Sequence, residues 1–339
     1  MANGKQLKKL FQSFAEGDSE YFNNTAKSII EDERRKNHFQ LADELEKILN
    51  SFKVPDKLKK VESNINQNYL HLLPKDKDSN LPLFDIKPTK YLLEDLVLDP
   101  LTEGTLKELI QEYEKKEILS AFSLEPRKKI LFCGPPGCGK TISAQAIAGE
   151  LDLPLLYTRF DSIVSSYLGE TALNLRKIFD FTSKGTWILF FDEFDAISKQ
   201  RDSVDEHGEL KRVVNSFLQM LDNYEGDSII IAATNHQQLL DNAVWRRFDE
   251  VIFFDKPTPD EIPKLLIKNL KRYPTNNIDY IKMSEKLTGN SHSDIERLCL
   301  NVIRKAILQR KSKIDNSFLE KEIELLKIRN NIYKTKGGN

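Results

Sequence analysis

The sequence predicts an α/β fold: a parallel sheet with helices on both faces, followed by a small helical domain and preceded by another. Three observations carry this. Four short apolar runs, Ile130–Cys133, Leu155–Tyr157, Trp187–Phe191 and Ile229–Ala233, alternate with helical stretches, and a fifth, Val251–Phe254, follows Arg247. Strands this apolar belong to a sheet buried on both faces. Beyond Pro257 the strand-like runs stop, and Glu261–Lys271, Ile278–Leu287, Asp294–Gln309 and Phe318–Arg329 all read as helices.

In chain order, residues 1–52 read as three short helices. Leu7, Leu10, Phe11 and Phe14 recur at helical spacing, and Gly17-Asp18-Ser19 offers a break and a cap. A second helix starts at Tyr21-Phe22 and runs through Ile29-Ile30; Phe39, Leu41, Leu45 and Leu49 mark a third. Such a module can contact a partner or substrate, or can be a scaffold bundle without a ligand. Residues 53–90 mix Pro, Lys, Asp and Ser without a lasting period and read as linker. Residues 91–256 form the α/β domain, opened by an Asp99-Pro100 cap and a helix to about Ala121. Residues 257–339 form the second helical domain.

Composition narrows the function classes. With 51 basic and 52 acidic side chains, the net charge of −1 gives no support to a nucleic-acid or membrane-surface protein. Cys133, Cys138 and Cys299 are too few for a disulfide framework and fit a reducing compartment. No apolar stretch is long enough to span a bilayer, and the N-terminus lacks the pattern of a secretory signal. A cytoplasmic protein is the expectation.

The first chemical motif follows the Ile130–Cys133 strand. Gly134-Pro135-Pro136-Gly137-Cys138-Gly139-Lys140-Thr141 fits G-x-x-x-x-G-K-[ST], with an apolar helix behind it. Glycines let backbone N–H groups curl around a polyphosphate, and the helix adds the positive end of its dipole. Lys140 would reach the β- and γ-phosphates, and Thr141 would place its hydroxyl on Mg²⁺. Cys138, beside Lys140 and a helix N-terminus, is either a reactive thiol of lowered pKa or a small buried filler.

The second motif ends the Trp187–Phe191 run. Asp192, at a strand tip, can hold the Mg²⁺ shell, and Glu193, one residue on, can polarise an attacking water. The next strand ends in Thr234-Asn235, whose amide could hydrogen-bond a terminal phosphate or the water. Arg246 and Arg247 follow. Their planar forks suit phosphate charge and can act across a subunit boundary.

Together these residues resemble the AAA family of ATPases, within the wider AAA+ superfamily. The resemblance covers about Leu92 to Leu308: GPPGCGKT, YLGET, FFDEFDAI followed by Arg201, AATN and LDNAVWRRFD occur in family order. It implies a P-loop NTPase fold with a helical lid and Mg-dependent ATP hydrolysis. It also implies a homo-oligomeric ring, usually hexameric, with shared sites and a central pore for a polypeptide. Asn235 matches the sensor that reads the γ-phosphate, and Arg246 and Arg247 match the fingers that reach a neighbour's ATP. The compact Trp-Arg-Arg-Phe-Asp is similar to the microtubule-severing and endosomal-sorting members. Many others carry Pro-Gly before the second arginine, so which arginine is the principal finger stays open.

Tyr167-Leu168-Gly169 matches the pore loop, and Asp202–Gly208 falls where a second is expected. In the lid, Gly289–Asp294 stands where relatives have Gly-x-Ser-Gly-Ala-Asp, with His292 in place of Gly and Ser293 in place of Ala, implying a crowded, polar base pocket. Asp95, Leu96 and Val97 lie where the family's backbone touches adenine. A helical N-domain, a linker and one AAA module resemble stand-alone bacterial AAA proteins, some of them encoded beside a subtilisin-like protease and acting in phage defence. The expected partner is therefore a protein substrate to be remodelled, or a partner enzyme such as that protease under an ATP-gated scaffold. A nucleic-acid motor is disfavoured by the charge balance.

Overall fold

The computed structural model describes residues 25, 29, 30, 34, 73–77, 80–159, 168–194, 207–240 and 242–336. The chain divides into two units, Met1–Lys59 and Lys60–Asn339. In the first, Thr25, Ile29, Ile30 and Arg34 are helical and the two isoleucines are buried. The remaining helices expected over residues 1–52 lie outside the described residues, as do Tyr167, Arg201 and residues 202–206.

The second unit is built on six strands: β1 (Asp85–Lys87), β2 (Lys129–Cys133), β3 (Leu155–Arg159), β4 (Ile188–Asp192), β5 (Ile229–Thr234) and β6 (Glu250–Phe253). They lie in the order β1-β3-β4-β5-β2-β6. All neighbours are parallel except β1, which pairs antiparallel with β3 through Asp85↔Tyr157 and Lys87↔Leu155. Side chains alternate between two cores, as strand geometry requires. Leu131 and Cys133 of β2, with Leu189 and Phe191 of β4, face one core; Ile130, Phe132, Ile188 and Phe190 face the other.

The first core is closed by α4 (Leu168–Thr182) and α5 (His207–Asp222) through Ile178, Phe179, Phe217 and Leu221. The second is closed by α1 (Pro100–Glu114) and α3 (Lys140–Glu150) through Leu106, Leu109, Ala144 and Ile147. A third core lies among α7 (Glu261–Leu270), α8 (Tyr280–Leu287), α9 (His292–Leu308) and α10 (Asn316–Lys336). Leu266, Met283, Val302 and Leu319 fill it, and Val97 packs against it.

Two expectations need correction. The linker reading of 53–90 does not hold for its described part. Leu73, Leu83 and Phe84 enter the first core, and β1 covers the outer edge of β3, whose backbone groups would otherwise lie unpaired. Pro74, Pro82 and Pro88 interrupt the pattern, so no period is visible. The single helix expected from Asp99 to Ala121 is broken at Lys115 (φ −103°, ψ 22°), where α2 (Lys116–Ala121) begins. On either side of the break the chain is held to one residue: the Tyr113 hydroxyl donates to the Asp227 carbonyl at 2.9 Å, and Lys116 pairs with the Asp227 carboxylate at 3.2 Å.

Candidate nucleotide site

Because β2, β4 and β5 are parallel neighbours, their C-terminal ends share one edge of the sheet. This brings together three loops far apart in sequence: the one after Cys133, the Asp192-Glu193 turn and the Thr234-Asn235 turn.

The loop after β2 is shaped by close backbone approaches. Gly134 has φ +137°, and a Cβ there would lie 1.9 Å from the Phe254 carbonyl oxygen. Gly137 has φ +75°, and a Cβ there would meet Ser293 Oγ at 2.2 Å. The Ser293 N–H donates to the Gly137 carbonyl at 3.0 Å, tying the loop to the start of α9. Lys140 opens α3 and is only 7% exposed. Its ammonium donates to the carbonyls of Gly134 (2.6 Å) and Pro135 (3.0 Å).

Thr141 Oγ1 donates to Asp192 Oδ2 at 3.3 Å. The same oxygen accepts from the Tyr157 hydroxyl at 2.9 Å. Tyr157, in the middle of β3 and stacked on Phe190, was not singled out by the sequence; a lone phenol in a strand beside the acidic one was the available signal. Glu193 takes φ +54°, a left-handed conformation uncommon outside glycine. Both sides hold it there: its N–H donates to Asp192 Oδ1 at 2.9 Å, and Phe194, fully buried against Phe217, donates its N–H to the Ala233 carbonyl at 2.9 Å.

A cleft of about 290 Å³ results, lined by Gly137, Lys140, Thr141, Asp192, Glu193 and Asn235, together with His292 and Ser293. Thr234 Oγ1 accepts from the His236 N–H at 3.0 Å, shaping the turn that carries Asn235. A second cavity, of about 150 Å³, adjoins it and is lined by Asp95, Leu96, Val97, Ile142 and Leu265. Gly139, Ile142, His292 and Glu296 line both. The Asp95 carboxylate is engaged in capping its own turn, accepting from the Leu92 N–H at 3.0 Å. Ser291 and Asp294 form a reciprocal capping box on α9.

Arg246 and Arg247 follow α6 (Asn242–Trp245) and do not line the cleft of their own chain. Arg247 is held locally: Nε donates to Asp222 Oδ2 at 2.8 Å and a terminal nitrogen to the Ala243 carbonyl at 2.7 Å. Arg246 is exposed, and its guanidinium makes no hydrogen bond or ion pair among the described residues. Leu168 and Gly169 open α4, while Tyr167 lies outside the described residues. Of the two readings of Cys138, the filler fits: the thiol is 1% exposed, and burial pushes its pKa up against the opposing charge of Lys140.

Residues 130–256 match the family described as ATPase family associated with various cellular activities (AAA). A relative in Sinorhizobium fredii, described as an uncharacterized AAA family ATPase y4kL, is 40% identical over 93% of this chain and 92% of its own. The chain belongs to the AAA family of ATPases. A putative cell division cycle ATPase of Plasmodium falciparum is 32% identical over 62% of this chain, which spans only 18% of that larger protein. Among the described residues, no helix is long and apolar enough to cross a membrane.

Proposed function

We propose that this chain hydrolyses Mg-bound ATP within a homo-oligomeric, hexameric ring. Turnover would remodel, unfold or thread a protein substrate through a central pore. The observation that carries this reading is the convergence of Lys140, Thr141, Asp192, Glu193 and Asn235 on one cleft, with Arg246 exposed outside it. The Lys140 ammonium stabilises the β- and γ-phosphates in the ground state. A hydroxyl and a carboxylate 3.3 Å apart are the hard oxygen donors Mg²⁺ takes when phosphate and water complete its shell. Bound there, the ion would neutralise phosphate charge. Glu193 orients and deprotonates the attacking water, and Asn235 hydrogen-bonds the terminal phosphate or that water. Arg246 serves the neighbouring subunit's site. Asp95, Leu96, His292 and Ser293 surround the base. Tyr167-Leu168-Gly169 grips the substrate, and residues 1–52 select the partner, in the cytoplasm.

The test separates binding from turnover. Lys140→Ala should abolish ATP binding. Glu193→Gln should keep binding, stop hydrolysis and hold the ring together long enough to co-purify its substrate. Undiminished hydrolysis by Glu193→Gln removes that residue from its role. Full activity in verified monomers removes the ring.

A further inference from the structure

Tyr157 and Asp192 do not stand directly opposite each other. The register pairs Tyr157 with Phe190 and Arg159 with Asp192, so the phenol stands one diagonal step from the carboxylate on the same face of the sheet. An aromatic side chain spans that step, and the Tyr157 hydroxyl donates to Asp192 Oδ2 at 2.9 Å. The ring is held in place. It stacks on Phe190 with centroids 5.8 Å apart and packs against the second core. The Lys87 ammonium of β1 stands 5.0 Å from its centroid, on a strand whose Asp85 is paired with Tyr157.

Both oxygens of the Asp192 carboxylate are therefore engaged. Oδ2 accepts from the Tyr157 and Thr141 hydroxyls, and Oδ1 accepts from the Glu193 N–H. A carboxylate has about four lone-pair sites, so these bonds leave room for an ion or its water once Thr141 turns its hydroxyl to the metal. The Glu193 amide alone would let the carboxylate swing about that one bond. A second donor on the other oxygen fixes its plane, and Tyr157 is the one that need not leave.

We propose that Tyr157 is a positioning residue that locks the Asp192 carboxylate and so makes the site select Mg²⁺ over Ca²⁺. The proposal rests on the reading of Thr141 and Asp192 as the donors for the ion. Mg²⁺ is small and demands near-octahedral oxygen geometry. Ca²⁺ takes about six to eight oxygens in a flexible arrangement and accepts carboxylates through one oxygen or both. A carboxylate that cannot turn suits the stricter ion and denies the looser one its adaptable mode.

ATP binding to the full chain tests this, measured without metal in a chelator and then as a function of Mg²⁺ and, separately, of Ca²⁺. The wild type should reach half-maximal metal-dependent binding at a lower concentration of Mg²⁺ than of Ca²⁺. Tyr157→Phe deletes a single oxygen. It should need roughly tenfold more Mg²⁺, change its Ca²⁺ requirement by less than about threefold, and keep the wild-type affinity for ATP without metal. A merely structural role would instead weaken metal-free binding or shift both ions alike. Tyr157→Met serves if the phenylalanine variant loses metal-free binding through misfolding. Equal shifts for the two ions, or an unchanged Mg²⁺ requirement, overturn the assignment. Asp192→Asn tests the underlying reading separately: if the Mg²⁺ dependence survives that change intact, Asp192 does not hold the ion, whatever Tyr157 does.

Discussion

Separate replacement of the two arginines should give opposite phenotypes. Arg247 is held by contacts within its own chain, which favours Arg246 as the finger. Its side chain is 33% exposed and bonds Asp222 on α5 and the Ala243 carbonyl. A partly exposed ion pair contributes up to about 1 kcal/mol, and a net hydrogen bond to a carbonyl about 1 kcal/mol more. Arg247→Ala should therefore cost about 1–2 kcal/mol and lower the melting temperature by roughly 2–8 °C. Asp222→Asn should reproduce part of that loss, and the double variant should lose less than the sum, because both changes break one contact. Arg246 makes no such contact among the described residues, so Arg246→Ala should change stability by less than about 0.5 kcal/mol. If its guanidinium serves a neighbour's transition state, turnover should fall by roughly 10³–10⁵ while ATP binding stays intact. The assay pairs thermal melts with kcat at saturating ATP, then mixes Arg246→Ala with Lys140→Ala subunits under verified exchange. Partial recovery in the mixture is expected, since some interfaces join an intact loop to an intact arginine. Wild-type turnover by Arg246→Ala alone would refute the reasoning, as would a melting loss larger for Arg246→Ala than for Arg247→Ala.

Three further outcomes follow from the site. Tyr157→Phe removes the hydroxyl that holds Asp192 Oδ2 and should raise the Mg²⁺ concentration for half-maximal ATP binding by roughly tenfold, measured by metal titration. Gly134→Ala would drive a methyl group into the Phe254 carbonyl at φ +137° and should abolish nucleotide binding or folding, read by ATP binding and circular dichroism. The raised pKa of Cys138 means less thiolate at any given pH, so a maleimide at pH 7 should label that thiol in the native protein far more slowly than after unfolding, read by mass spectrometry.

What the sequence made legible was chemistry bound to local spacing. The phosphate loop is one contiguous motif, and the acidic pair follows an unmistakably buried strand, so both were readable and both line one cleft in the structure. The apolar runs located β2 to β6 to within one or two residues because a doubly buried strand has nothing to alternate with. Long-range contacts left no such mark. β1 is three residues long and exists because β3 needs an edge partner. The break at Lys115 is flanked by two side chains docked on Asp227, more than a hundred positions away. Tyr157 meets Asp192 only because β3 and β4 are neighbours in register. The distinction between Arg246 and Arg247 depends on Asp222, which no pattern near the arginines announces.

The bond from the Ser293 N–H to the Gly137 carbonyl has a mechanical consequence. It is a joint between the loop that would cradle phosphate and a helix whose other turns belong to the third core. A rotation of α9 away from the sheet would load this joint together with the contact between the His292 backbone and the Cys138 thiol. One backbone hydrogen bond yields at about 1 kcal/mol, so small excursions carry the loop along and larger ones part it. A joint this weak would act as a slipping clutch: displacement below its threshold would pass between the helical bundle and the loop after β2, and displacement above it would not.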